Sequence, residues 1–167
     1  AMKTHTSIVV VLLSFLALGQ VNAMPVDISW SDADKYRDLR SVTETRASFQ
    51  QRFYKEISKH LNELSQSLPH DYKMSIDVTN VDLAGRIQLV KGQQIRVVKD
   101  MYYPNMAFKY KLLDKSGQLV ASEDVQVKGT NFLLNSNSRM RNEAFPHEKK
   151  MLTEWFKKEF TQVIEKK

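Results

Sequence analysis

The chain has 167 residues, with 25 Lys and Arg against 19 Asp and Glu, a formal charge of +6 and no cysteine. Lack of cysteine excludes disulfides, a thiol nucleophile, cysteine metal ligands and a lipid anchor on sulfur. The positive balance suits anionic neighbours such as lipid headgroups or lipopolysaccharide phosphates, and is also ordinary solubilising charge; a nucleic-acid partner is not expected.

Residues 1–23 read as a cleavable secretion signal. Lys3 supplies the positive start, Ile8 to Leu18 is apolar apart from Ser14, and Val21-Asn22-Ala23 gives small residues before a cut after Ala23. Gly19-Gln20 ends the run short of the roughly 20 apolar residues of a membrane-spanning helix. Removing 23 of the 167 residues leaves 144, and losing Lys3 takes the charge from +6 to +5. The expectation is a soluble periplasmic or secreted protein with no stable membrane anchor, and one globular domain over 24–167, because no repeat or linker divides it.

Val26, Ile28 and Trp30 alternate with Asp27 and Ser29, which predicts a strand with one buried face. A polar link follows from Ser31 to Thr43. Phe49, Phe53, Ile57, Leu61, Leu64 and Leu68 line one stripe of a helix from about Glu44 to Leu68. Ser41-Val42-Thr43-Glu44 has capping-box spacing, and Pro69 cannot continue the helix. Tyr72, Met74, Ile76 and Val78 alternate again. Two strands joined through a helix are parallel if they pair directly.

A loop is expected around Asp82 to Gly85, then a short apolar run, Ile95 to Val98. Met106, Phe108, Tyr110 and Leu112 form one face of a strand whose other face shows Lys109 and Lys111. Asp114-Lys115-Ser116-Gly117 is turn chemistry, and Leu119 to Val127 resumes alternation, making a hairpin. Asn131 to Ser138 reads as an exposed loop. The last helix starts near Pro146, a residue suited to a first helical position, and carries Met151, Leu152, Trp155, Phe156, Phe160, Val163 and Ile164. This order predicts an α/β chain of the α+β kind: a two-layer sandwich, with a mixed, mostly antiparallel sheet of four to five strands and two long helices on one face.

Catalytic signatures are sparse, and no cofactor is implied. His60, His70 and His147 lack the helical spacing of a zinc site, and each reads as a solvated or capping side chain. Asp77, Asp82 and Asp100 sit near probable strand ends; Asp82 and Asp100 are the candidates for a carboxylate-based hydrolytic site. Arg96 and Lys99, with Lys109, Lys111 and Lys128 and the nearby Tyr102 and Tyr103, suit a basic face for a phosphate-bearing ligand; outward lysines on a half-exposed sheet are the plainer reading. Arg139 and Arg141 form a second polar cluster, beside Asn142 and Glu143.

Trp30, Tyr36-Arg37-Asp38, Val81-Asp82-Leu83-Ala84-Gly85, Ile95-Arg96-Val97-Val98-Lys99-Asp100 leading to Pro104, Arg141-Asn142-Glu143, Glu148-Lys149-Lys150-Met151-Leu152 and Trp155-Phe156 resemble a family of signal-bearing Gram-negative proteins catalogued as a domain of unknown function, of the DUF3016 type. Asn105 follows Pro104 where the resemblance leads one to expect a basic residue. The resemblance implies a secreted single domain and no particular activity, cofactor or catalytic residue. Charge, export and sparse catalytic motifs together point to a non-enzymatic protein that binds an anionic envelope component or an envelope protein. The alternatives are a periplasmic hydrolase using carboxylates and a structural or folding-assistance role.

Overall fold

The computed structural model describes residues 26–36, 38–134 and 142–166. The expected leader over 1–23, Arg139 and Arg141, and residues 135–138 of the expected loop lie outside the described residues. The fold is α+β. Its elements in chain order are β1 (Val26–Trp30), a short 3-10 turn (Ala33–Lys35), α1 (Arg46–Ser65), β2 (Lys73–Asp82), β3 (Arg86–Val90), β4 (Gln93–Val97), β5 (Asn105–Leu113), β6 (Leu119–Lys128) and α2 (Pro146–Ile164).

Four strands form one mixed sheet in the order β1-β2-β5-β6. β1 and β2 pair in parallel, as the crossover through α1 requires, with Ile28 opposite Ile76; β5 pairs antiparallel with β2 and β6. Alternation buries Met74, Ile76 and Val78 from β2 and Met106, Phe108, Tyr110 and Leu112 from β5. These join Phe53, Ile57 and Leu61 of α1 and Leu152, Phe156 and Phe160 of α2 in a single buried cluster. Trp155 meets the edges of Phe108 and Tyr110 at centroid distances of 4.7 and 5.6 Å, an arrangement that sets the positive rim of one ring against the face of another.

α1 starts at Arg46, two residues after the expected Glu44, and its N-cap falls four residues beyond the Ser41 that the capping-box spacing predicts. Thr45 is the N-cap, its hydroxyl accepting from the Ser48 amide, while Ser41 Oγ instead accepts from the Thr43 amide. Glu44 turns to Arg52 and Ser48 rather than back toward Ser41. Pro146 begins α2 as expected, but the residue before it, Phe145, holds a left-handed backbone with φ 54°, a conformation rare for a bulky side chain. Its ring stands edge-on to Phe49 at 5.5 Å and Phe53 at 4.9 Å; this packing holds the backbone there.

His60 corrects the solvated reading. Its Nε2 lies 3.0 Å from the Lys149 carbonyl and 2.8 Å from Thr153 Oγ1. A carbonyl only accepts, so Nε2 carries the proton. With the Lys149–Glu56 ion pair at 2.9 Å, it ties α1 to α2 through polar contacts. Likewise Phe132, inside the segment expected as an exposed loop, is 3% exposed.

The main surprise is β3–β4, a separate two-stranded sheet. Lys91 and Gly92 both have positive φ, 49° and 80°, which is the two-residue hairpin turn whose twist matches its strands. Lysine at the first turn position hides this hairpin from a search for Asn-Gly or Asp-Gly.

Candidate functional site

The turn between β2 and β3 organises its surroundings. Three successive amides donate to three distant segments: Leu83 to Asp38 Oδ2 at 3.0 Å, Ala84 to Glu148 Oε1 at 2.8 Å, and Gly85 to the Tyr102 carbonyl at 2.8 Å. Gly85 has φ 81°, and a Cβ there would lie 2.8 Å from the Val97 carbonyl oxygen, so only glycine fits.

Arg96 reaches from β4 into the same place. Its Nη1 donates to Asp38 Oδ2 at 3.0 Å and to the Gly85 carbonyl at 3.2 Å, and Nη2 donates to the carbonyls of Asp38 and Arg40. Arg96 is therefore committed to holding the 38–40 segment against the 83–85 turn. Glu148, in the first turn of α2, is 3% exposed. Burial pushes its carboxyl up from the ordinary range, against the lowering effect of the amides it accepts from.

Above this knot lies a cleft of 560 Å³, within the roughly 300 to 1,000 Å³ usual for small-molecule sites. Phe49 from α1, Leu83 and Ala84 from the turn, Val98 after β4, Val42 and Phe145 give it apolar walls; Arg96, His147 and Glu148 bring polar atoms to it, and Arg40 and Glu143 are also at its lining. Arg40 and Glu143 are exposed, and Arg40 has no ion-pair partner among the described residues. His147 is not a solvated side chain. Its Nδ1 is buried without a hydrogen-bond partner among the described residues, its ring stands edge-on to Phe132 at 4.8 Å, and burial lowers its pKa.

The proposed basic face is divided between two places. Lys109, Lys111 and Lys128 lie on the open side of the four-stranded sheet, while Arg96 and Lys99 belong to the β3–β4 side. The lysines on the sheet share their surface with acids: Lys109 stands opposite both Asp77 and Asp124 in the strand register, 3.8 Å from Asp124. Asp77 itself accepts from Ser29 Oγ at 2.9 Å and Ser31 Oγ at 2.6 Å. Asp82 closes β2 and accepts from Asn105 Nδ2 at 3.0 Å; burial and the nearby Asp38 raise its pKa. A shallow pocket of 120 Å³ beside Asp82 is lined by Arg86, Tyr102, Tyr103 and Asn105 among others, and Asp100 is not part of its lining. His70 is exposed after Pro69.

Sequence patterns do not single out Phe49, Phe145, Arg40, His147 and Glu148 as neighbours. One local signal was available: Arg96 interrupts an otherwise apolar Ile95–Val98, and a lone cation in such a run calls for an internal partner. Among the described residues, no group of three His, Asp or Glu side chains is placed to hold a metal ion, and no helix is long and apolar enough to cross a membrane.

Neither the curated proteins nor the solved structures yield a match to this chain. Four of the segments that carry the resemblance meet at or beside the cleft: Leu83, Arg96, Glu143 and Glu148 line it, and Asp38 of a fifth is bonded to Leu83 and Arg96. A family described as "Protein of unknown function (DUF3016)" matches residues 24–158, and the chain belongs to that family.

Proposed function

We propose that the chain is an exported, non-enzymatic binding protein whose cleft between the 40–42 segment, the 83–85 turn and the start of α2 takes a small amphipathic anion. The cleft carries this reading: apolar walls suit an aliphatic or aromatic body, and Arg40, without an ion-pair partner among the described residues, offers a cation to a carboxylate or phosphate head. Residues 1–23 act as the export signal in this reading, and 24–167 form one globular two-layer sandwich in the periplasm. The single cluster shared by both helices and the sheet supports that layering.

Calorimetric titration with decanoate tests the proposal. Saturable binding is expected, weakened about tenfold by Arg40→Ser and strengthened by Glu143→Gln, which removes the rim's opposing charge. Val98→Asp should abolish binding by putting a charge on the apolar wall. No saturable heat up to millimolar ligand, or binding indifferent to Val98→Asp, sinks the reading.

One observation favours a hydrolytic alternative: the buried Glu148 carboxyl and His147, whose Nδ1 has no hydrogen-bond partner among the described residues, line the same cleft. Ester hydrolysis by the native chain, lost in Glu148→Gln while decanoate binding persists, would replace the binding-only reading.

A further inference from the structure

The β3–β4 hairpin is unlike the rest of the surface. From Leu83 to Lys99 the chain has four cations, Arg86, Lys91, Arg96 and Lys99, and no carboxylate. Arg96 is consumed by Asp38, and Lys91 and Lys99 are exposed. The hairpin also exposes large apolar side chains: Leu89 is 72% exposed, with Val90 and Ile95 near 40%.

Their placement narrows the occupant. In the pairing Leu89↔Gln94 and Val90↔Gln93, neighbouring residues point to opposite faces of the ribbon. Leu89 is on one face and Val90 with Ile95 on the other. A partner docking against one side would leave half of this apolar surface in water; an apolar medium that surrounds the tip covers both. Strands of five residues reach roughly 15 Å, and the base is braced by Arg96 on Asp38, by Gln88 Nε2 on Tyr102 Oη at 3.2 Å and by Arg86 over the Tyr102 ring at 5.4 Å. The tip is thus presented on a fixed base.

We propose that the β3–β4 hairpin is a membrane-docking arm that enters the headgroup region of an anionic lipid bilayer end-on, Leu89 and Val90 reaching the acyl boundary while the long side chain of Lys91 at the tip snorkels back to lipid phosphates. Shallow apolar insertion combined with basic residues is the chemistry of interfacial membrane binding. This inference is separate from the cleft reading and stands or falls without it.

The cysteine-free chain makes a position-specific test clean. Leu89→Cys in the full chain, labelled with an environment-sensitive fluorophore, is titrated with vesicles of equal phosphatidylglycerol and phosphatidylcholine. A blue shift is expected with these vesicles and not with phosphatidylcholine alone. Ser116→Cys, labelled in the β5–β6 turn, should stay water-like, which separates docking through the arm from attachment through the N-terminal apolar run. Lys91→Glu in the Leu89→Cys background should weaken the response on the order of tenfold and leave decanoate binding unchanged. A water-like label at 89 with anionic vesicles overturns the proposal, as does an equal response to neutral vesicles or at 116.

Discussion

Arg96 and Asp38, 58 residues apart in the chain, form an ion pair at 3.0 Å in which both side chains are less than a quarter exposed. The guanidinium also donates to three backbone carbonyls, and the carboxylate also accepts the Leu83 amide. Removing either partner strands the other with its desolvation uncompensated. Asp38→Ala is therefore expected to cost about 2–4 kcal/mol, measured by urea denaturation. A loss under half a kcal/mol would show that the pair contributes no more than a surface contact.

Two glycines with nearly the same φ give a controlled comparison. A Cβ at Gly85 meets the Val97 carbonyl oxygen at 2.8 Å, whereas one at Gly92 meets nothing within 4 Å. Gly92→Ala should lose only the cost of a left-handed backbone, about 1 kcal/mol, and Gly85→Ala distinctly more, about 3 kcal/mol. Equal losses would mean that the hairpin base is less closely packed than described.

Glu148 should make the fold less stable as pH rises. Below its ordinary value of 4.5 the carboxyl is protonated folded or unfolded; as pH climbs through 4.5 the unfolded chain ionises first, and stability falls until the raised folded pKa is passed. Glu148→Gln keeps an oxygen for the Ala84 amide and removes this proton linkage. Its stability relative to the native chain should grow between pH 4 and pH 8. A difference that is flat with pH contradicts the buried, uncompensated carboxyl.

His60 acts in the opposite direction. Burial lowers its pKa below the ordinary 6.5, so in acid the unfolded imidazole takes its proton first. Its contribution is intact above 6.5 and is lost as pH falls through that value toward the lowered folded pKa. His60→Gln retains a donor for the Lys149 carbonyl and should reduce the loss of stability between pH 7 and pH 5; an unchanged acid profile would assign that loss to other groups, His147 first.

Phe53 is fully buried, edge-on to Trp30 at 5.7 Å and to Phe145 at 4.9 Å. Phe53→Ala should cost about 3–5 kcal/mol by lost burial and the cavity left behind. An unshifted thermal midpoint would contradict its place in the core.

Periodicity made the long elements legible. Period-two alternation located β1, β2, β5 and β6 because one face of each strand turns toward the core, buried in β2 and β5 and largely only half-buried in β1 and β6, and the apolar stripes located both helices. It failed over 86–97, where exposed Leu89 and Val90 and exposed glutamines remove any contrast between faces. The site was hidden for a different reason. Asp38, Arg96 and Glu148 are neighbours only after the sheet, the turn and α2 have assembled, and cations that look like one basic face by count are divided between two sheets, with Lys109 set opposite Asp77 and Asp124.

The turn from Leu83 to Gly85 has a kinetic meaning beyond its architecture. Each of its three amide protons is sheltered by a different stretch of chain: the 38–40 segment, the start of α2 and the loop before β5. Exchange with deuterated solvent at three adjacent positions would then time three separate openings. At Ala84 in particular, the exposed fraction would follow undocking of the C-terminal helix, even while the hairpin two residues away stays closed.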